Sequence, residues 1–369
     1  MENVKDDILY QIALLEIEKI GPSVGRKLID HFGSAKAVFQ ANKKDFEALG
    51  AIGSNLNTGV SDASNLNFAE AQLKFAEQQG TEIISYYENS FPNRLKHIND
   101  APLVLYQKGN CNLNHSRMVA IVGTRQATKY GKDFCESLIA ELKSYDAYVV
   151  SGLAFGIDVC AHKSACEQDL NNIAVMAHGL DRVYPSDHKS VANRIVSRGA
   201  LLTEYPIQTN PDRENFPKRN RIVAGMVDAI VVVESALKGG SMITAKLGND
   251  YNRDVFALPG KISDEQSKGC NHLIKTNQAH LIESTKDIGY ILGWEQKASS
   301  ENKVIQKELF LDLNEDEQQI ISIIEMEARS IDEIVVISQL PISKVSSQLL
   351  MLEFKGLVKQ LPGKIYQMV

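Results

Sequence analysis

Met118-Val119-Ala120-Ile121-Val122-Gly123-Thr124-Arg125 reads as a five-residue apolar strand that ends in a Gly-Thr-Arg loop. A run this continuously apolar predicts a strand buried on both faces of a parallel sheet. Gly123 lets the chain turn sharply, and a helix is predicted to begin near Tyr130. The same pattern recurs outward from this stretch. Apolar, β-rich runs at 148–150, 173–177, 201–204, 229–233, 255–258 and 280–282 alternate with helical periodicity. That alternation predicts an α/β class and a doubly wound sheet across 80–294. Ligands of such sheets sit at the carboxyl ends of the strands, so the loops there are the ones to read.

In the first loop, Thr124 offers a hydroxyl and Arg125 a fork of donors, both suited to a phosphate oxygen. The predicted helix beyond them turns its positive end to the same place. The second loop is Ser151-Gly152-Leu153-Ala154-Phe155-Gly156-Ile157-Asp158. Gly152 and Gly156 allow close backbone approach, and Asp158 stands where a helix N-cap is wanted. His162 falls inside the following helix and reads as a packed or hydrogen-bonded side chain.

The third loop runs from Glu204 to Gly225, and Arg213 to Arg221 holds four bases against one acid. Pro217 suits a first helical position, which puts Lys218, Arg219, Asn220 and Arg221 on the opening turns. Bases there oppose the helix dipole, so an anion is expected to offset them; a solvated surface run is the other reading. The fourth loop carries Lys238, Gly240 and Ser241, with Ser241 as the expected cap and phosphate donor. The fifth joins Leu258-Pro259-Gly260 to a helix near Gly269.

A dinucleotide site is excluded. The first loop, GTRQATKYG, lacks G-x-G-x-x-G, and the second strand ends in Ser151-Gly152 where a ribose-binding acid belongs. No paired carboxylate, Ser-His-Asp set or metal-ligand cluster stands at the predicted strand ends. No catalytic residue, metal or cofactor is therefore expected, and the loops suit binding a polyanion better than breaking a bond.

The flanks differ in character. Residues 1–78 predict short helices, and Gly21 and Gly25 around a tight turn suggest a helix-hairpin-helix (SAM-like) domain whose backbone N–H groups could meet a phosphate. The other reading is a connector that packs and binds nothing. A weaker echo lies at Leu49-Gly50-Ala51-Ile52-Gly53. Residues 295–310 are polar and read as a linker. Residues 311–369 predict helices at 315–327, 331–337 and 342–355, then strands at 357–359 and 364–367 around Pro362-Gly363, a winged-helix order. That segment holds five bases against nine acids, which suits protein contact better than groove reading.

The 369 residues are 44% hydrophobic and 23% charged, as in water-soluble globular chains of two or three domains. The net charge of −6 requires any phosphate-binding surface to be local. The five cysteines form no C-x-x-C pair and suit free thiols in a reducing compartment. No apolar run reaches membrane length, and the N-terminus is polar. A cytoplasmic protein is expected.

The stretches IVGTR, SGLAFGID with AH, GLDRVYP, LLTEYP, FPKRNRIVAG, GGSMITA and VFALPG with GCNHLI run in order over about 100–282. As a set they resemble the DNA-processing protein A (DprA/Smf) family. The resemblance implies an extended Rossmann-like fold, single-stranded DNA in a basic pocket, a homodimer, and loading of the RecA recombinase during natural transformation. By position it carries over Arg125, Ser151, Gly152, Gly156 and Asp158, and Arg219-Asn220-Arg221. Phe155 departs from the pattern, standing where an arginine is common; it removes a phosphate ligand or offers a stacking surface. Ala177-His178-Gly179 and the segment from Asn249 to Arg253 depart as well. Two alternatives stand beside this reading. One is a nucleotide-processing or nucleotide-binding enzyme of a related Rossmann branch, although the P-G-G-x-G-T-x-x-E signature of that branch is absent. The other is an interaction scaffold acting through the acidic C-terminal domain.

Overall fold

Nine strands form one sheet: β1 Thr81–Ser85, β2 Val104–Lys108, β3 Met118–Val122, β4 Tyr148–Ser151, β5 Asn172–Val175, β6 Ala200–Thr203, β7 Ala229–Val232, β8 Asp254–Ala257 and β9 His280–Leu281. Their spatial order is β1-β2-β6-β5-β4-β3-β7-β8-β9. The seven strands from β3 to β9 are parallel, and β1 and β2 add an antiparallel edge beside β6. The seven expected strands all exist, within about two residues of their predicted ends. The edge pair was not anticipated. Every residue of β3, β5, β6 and β7 is buried, which is why those strands read as unbroken apolar runs.

The computed structural model describes residues 2–47, 49, 51–296, 313–325, 329–361 and 365–368. Most of the expected linker, Gly50 of the weaker hairpin echo, and Pro362-Gly363 lie outside the described residues. The chain divides into two compact units, 1–299 and 300–369.

In the first unit, alternate residues of β3 serve the two sheet faces. Met118, Ala120 and Val122 join Ile222, Val223 and Ala245, whereas Val119 and Ile121 join Cys135, Leu138 and Ile157. Helices thus cover both faces. The chain steps outward from β3 to β6, then crosses back to β7 on the other side of β3. The crevice between β3 and β7 is therefore the topological switch point, where doubly wound sheets bind ligands.

The N-terminal helices share their core with this sheet and do not enclose one of their own. Ile12, Leu28 and Phe46 pack in one cluster with Leu103, Tyr106 and Leu201. Gly21 caps the helix Pro22–Phe32, and Pro22 opens it. Arg26 of that helix donates to the carbonyls of Ala101 and Asn99, both at 2.5 Å.

The second unit is a winged helix. Its helices are Glu315–Ile324, Ile331–Ser338 and Ile342–Phe354, with a small sheet of β10 Arg329–Ser330, β11 Val358–Leu361 and β12 Ile365–Met368 in the order β10-β12-β11. Capping boxes at Asn314/Glu317 and Ser330/Glu333 start the first two helices. Ile320, Ile334, Val345 and Leu349 centre its core. All five cysteines of the chain are free. Among the described residues, no single helix is long and apolar enough to cross a membrane.

Candidate nucleic-acid interface

A pocket of about 590 Å³ opens at the switch point, over the carboxyl ends of β3, β4 and β7. Of the residues singled out from the sequence, Gly123, Thr124, Arg125, Gly152, Arg219, Asn220, Gly240 and Ser241 line it. Ser151, Phe155, Gly156, Lys218, Arg221 and Lys238 do not.

Each absence has a physical cause. Ser151 is fully buried, and its hydroxyl donates to the Ile121 carbonyl at 2.6 Å. Arg221 is paired with the partly buried Glu204 and lies 3.7 Å from Asp100. Lys218 is exposed and faces Glu214 at 3.6 Å. Lys238 is exposed and is not among the lining residues. Phe155 and Gly156 line a neighbouring groove of about 390 Å³.

Arg219 lines the pocket from beneath. It is 4% exposed and donates to the carbonyls of Gly152 and Val175. A Cβ on Gly152 would overlap the guanidinium, so glycine at 152 makes room for the arginine under the loop. Asp158 is not the cap expected of it. The helix Ile157–Glu167 is capped by Gly156 without a side-chain bond, and Asp158 turns inward to accept the Gly152 N–H at 3.2 Å. Burial pushes its carboxyl above the ordinary value, while Arg219 and the Ala154 and Gly152 N–H groups pull it down. His162, fully buried against Asn172 at 2.9 Å, has its pKa lowered by burial to about 4.

One expected helix start and one other expected cap also move. The third-loop helix, Asn215–Gly225, begins two residues early, so Pro217 is its third residue, where an N–H has no intrahelical partner in any case. The fourth-loop helix, Gly240–Asp250, is capped by Gly239 with no side-chain bond, because Ser241 donates to Ser235 at 2.8 Å. Its first N–H groups are left open at the pocket wall, a setting that favours anions. The helix Lys129–Leu142 behaves oppositely. Thr128 caps it, and the buried Glu234 accepts both the Thr128 N–H at 2.9 Å and its hydroxyl at 2.5 Å. A protein carboxylate already satisfies that helix end, which therefore does not serve the pocket.

The sequence reading missed an aromatic shelf. Phe216 lines the pocket with Tyr184, their rings 6.0 Å apart, and the exposed Arg125 guanidinium lies 5.4 Å from the Phe216 ring. The signal was present: Phe216 abuts the basic run it supports. Arg213 and Gln126 complete the cationic and amide rim. Asp158 is the one carboxylate among the described lining residues, and it is already committed to Gly152. The pocket thus offers guanidinium groups, open backbone N–H donors and a ring face, which are the elements that hold a nucleic-acid strand.

The chain is similar to known proteins over both of its units. The family model described as DNA recombination-mediator protein A matches residues 82–293, and the DprA winged helix domain matches 311–364. Protein Smf of Synechocystis sp. is 32% identical over 97% of this chain and 98% of its own length. The crystal structure of DNA processing protein A from Streptococcus pneumoniae superposes with a TM-score of 0.66 at 32% identity, over 78% of this chain and all but 2% of its own, the coverage of that chain being 98%. A Helicobacter pylori structure described by its single-stranded DNA binding mode gives a TM-score of 0.53 at 30% identity, covering 58% of this chain and 97% of that one.

Proposed function

The chain belongs to the DprA/Smf family of DNA-processing proteins, and from that premise we propose that it binds single-stranded DNA in the switch-point pocket and hands it to the RecA recombinase in natural transformation. The observation that carries the binding step is Arg125 poised over Phe216 at the pocket wall. A base stacks on the ring while the guanidinium takes the adjoining phosphate, and stacking of this kind is worth about 1–3 kcal/mol per base. The open N-terminus of Gly240–Asp250 supplies further phosphate donors. The recombinase step rests on the mediator description of the matching family. In this reading the protein is a cytoplasmic, non-catalytic homodimer.

Fluorescence anisotropy of labelled oligo-dT against a matched duplex tests the binding step. The single strand is expected to bind more tightly. Each neutralised phosphate should cost about 2.5-fold in affinity for a fourfold rise in salt. Equal affinity for strand and duplex, or no salt dependence, would refute it.

We further infer that the winged helix contacts protein and does not read a groove. Its third helix, Ile342–Phe354, exposes Ile342, Leu350, Met351 and Phe354, the last at 80%. Two of its bases are committed: Lys344 to Asp316 at 2.7 Å and Lys355 to Glu317 at 2.6 Å. A chain ending at 299 is therefore expected to keep the duplex affinity of the full chain to within about twofold, since phosphate-binding cations dominate such affinity. A tenfold or greater loss in the same titration would restore the groove-reading role.

A further inference from the structure

We propose that the groove beside the pocket is a second nucleotide subsite, which carries the strand out past Arg125 and stacks its next base on Phe155. The inference rests on the reading of the first pocket given above. Phe155 is 44% exposed, although large aromatic side chains normally bury most of their surface. It is held, not loose. Its ring meets His188 edge-on at 4.9 Å, and His188 in turn pairs with the Leu153 carbonyl at 2.8 Å.

The loop bearing Phe155 is locked to the loop bearing Arg125. Gly156 has φ +79, and a Cβ there would overlap the Thr124 carbonyl and the Arg125 backbone. The Ile157 N–H donates to the same Thr124 carbonyl at 3.2 Å. The stacking surface and the phosphate ligand are therefore fixed relative to one another.

Arg125 and Gln126 line both the pocket and the groove, so the two cavities share a wall. Lys132 and Lys163 line the groove and are exposed, and like Arg125 they hold no ion pair among the described residues. Glu136 and Glu167 are also on its rim, leaving three cations against two acids. Unpaired cations around an open ring are the pattern of a single-strand track, a backbone path with stacking platforms. The groove has a volume of about 390 Å³. Phenylalanine at 155 carries no charge for a phosphate and offers a ring face for a base.

The test is anisotropy with a ladder of labelled oligo-dT, from about 3 to about 16 nucleotides, a range that spans the usual site size of such tracks. Phe155→Ala should bind the shortest strands like the parent and lose roughly tenfold on strands long enough to leave the pocket. Phe155→Trp should retain the long-strand affinity, and its fluorescence should be quenched by the long strands only. Equal affinities of Phe155→Ala and the parent at every length would overturn the subsite while leaving the pocket intact. A uniform loss at all lengths would overturn it too, by showing that residue 155 serves the first pocket. Failure of the parent to bind any strand would remove the pocket reading and the subsite together.

Discussion

Arg219→Ala is expected to destabilise the first unit by about 3–5 kcal/mol, the cost of removing one partner from a buried ionic network. At the size of this unit that lowers Tm by on the order of 10 °C. Three losses combine. The carbonyls of Gly152 and Val175 lose their donor, a cavity opens under the Gly152 loop, and the buried Asp158 carboxyl loses the cation that favoured its charged form. The effect should depend on pH. Without Arg219 the native Asp158 carboxyl rises further above the ordinary value of 3.8. The folded variant then holds a proton that the unfolded chain has released, so its stability falls as pH climbs from the unfolded carboxylate range through the native value. Loss of the same cation relaxes the depressed pKa of His162, which lightens the cost of folding at low pH. Both terms make the deficit larger at about pH 8 than at about pH 5. Arg219→Met combined with Asp158→Asn should recover part of the loss, because no lone charge is left buried. Thermal unfolding of the parent and the two variants at the two pH values decides it. A single variant that melts like the parent but fails to bind DNA would make Arg219 a ligand and not a strut.

The strut role was hidden in the sequence for a reason that applies across the site. Parallel strands buried on both faces leave a local mark, and 118–122 or 229–233 can be read without knowing what packs on them. The edge strands β1 and β2 carry no such mark, since their half-polar faces depend on which neighbour covers them. Charge is harder still. In the run from Arg213 to Arg221 all the bases look alike, yet Arg221 is consumed by Glu204, seventeen positions earlier in the chain. Arg219 is consumed by backbone carbonyls of the Gly152 loop and of the end of β5. Asp158 and Ser241 satisfy the local rule for a cap, and each is drawn off by a partner that only the folded chain brings near. Glu234 occupies a helix end that looked open. The glycines fared better, because Gly152 and Gly156 mark close approaches that any occupant of the loops requires. What remained available for a ligand was set by subtraction: the cations that no other part of the protein had claimed.

Arg125 is the clearest of these, and its removal should have the complementary phenotype. The side chain is exposed and holds no ion pair among the described residues, so Arg125→Ala should change stability by no more than about 0.5 kcal/mol. Its contact with a phosphate is a charge-assisted hydrogen bond, worth about 1.5–3 kcal/mol, and affinity for oligo-dT should fall roughly 10- to 100-fold. The loss should be the same for every base composition, because a phosphate ligand carries no sequence information. The slope of log affinity against log salt should shrink by about one. Arg125→Lys should restore much of that slope but not the full affinity, since an ammonium keeps the charge without the planar fork that lies over Phe216. Anisotropy at two salt concentrations, alongside a melting curve for each variant, separates the outcomes. Unchanged binding by Arg125→Ala at both salts would move the strand out of the pocket altogether. A matching fall in Tm would return Arg125 to the class of Arg219, a cation that the fold itself requires.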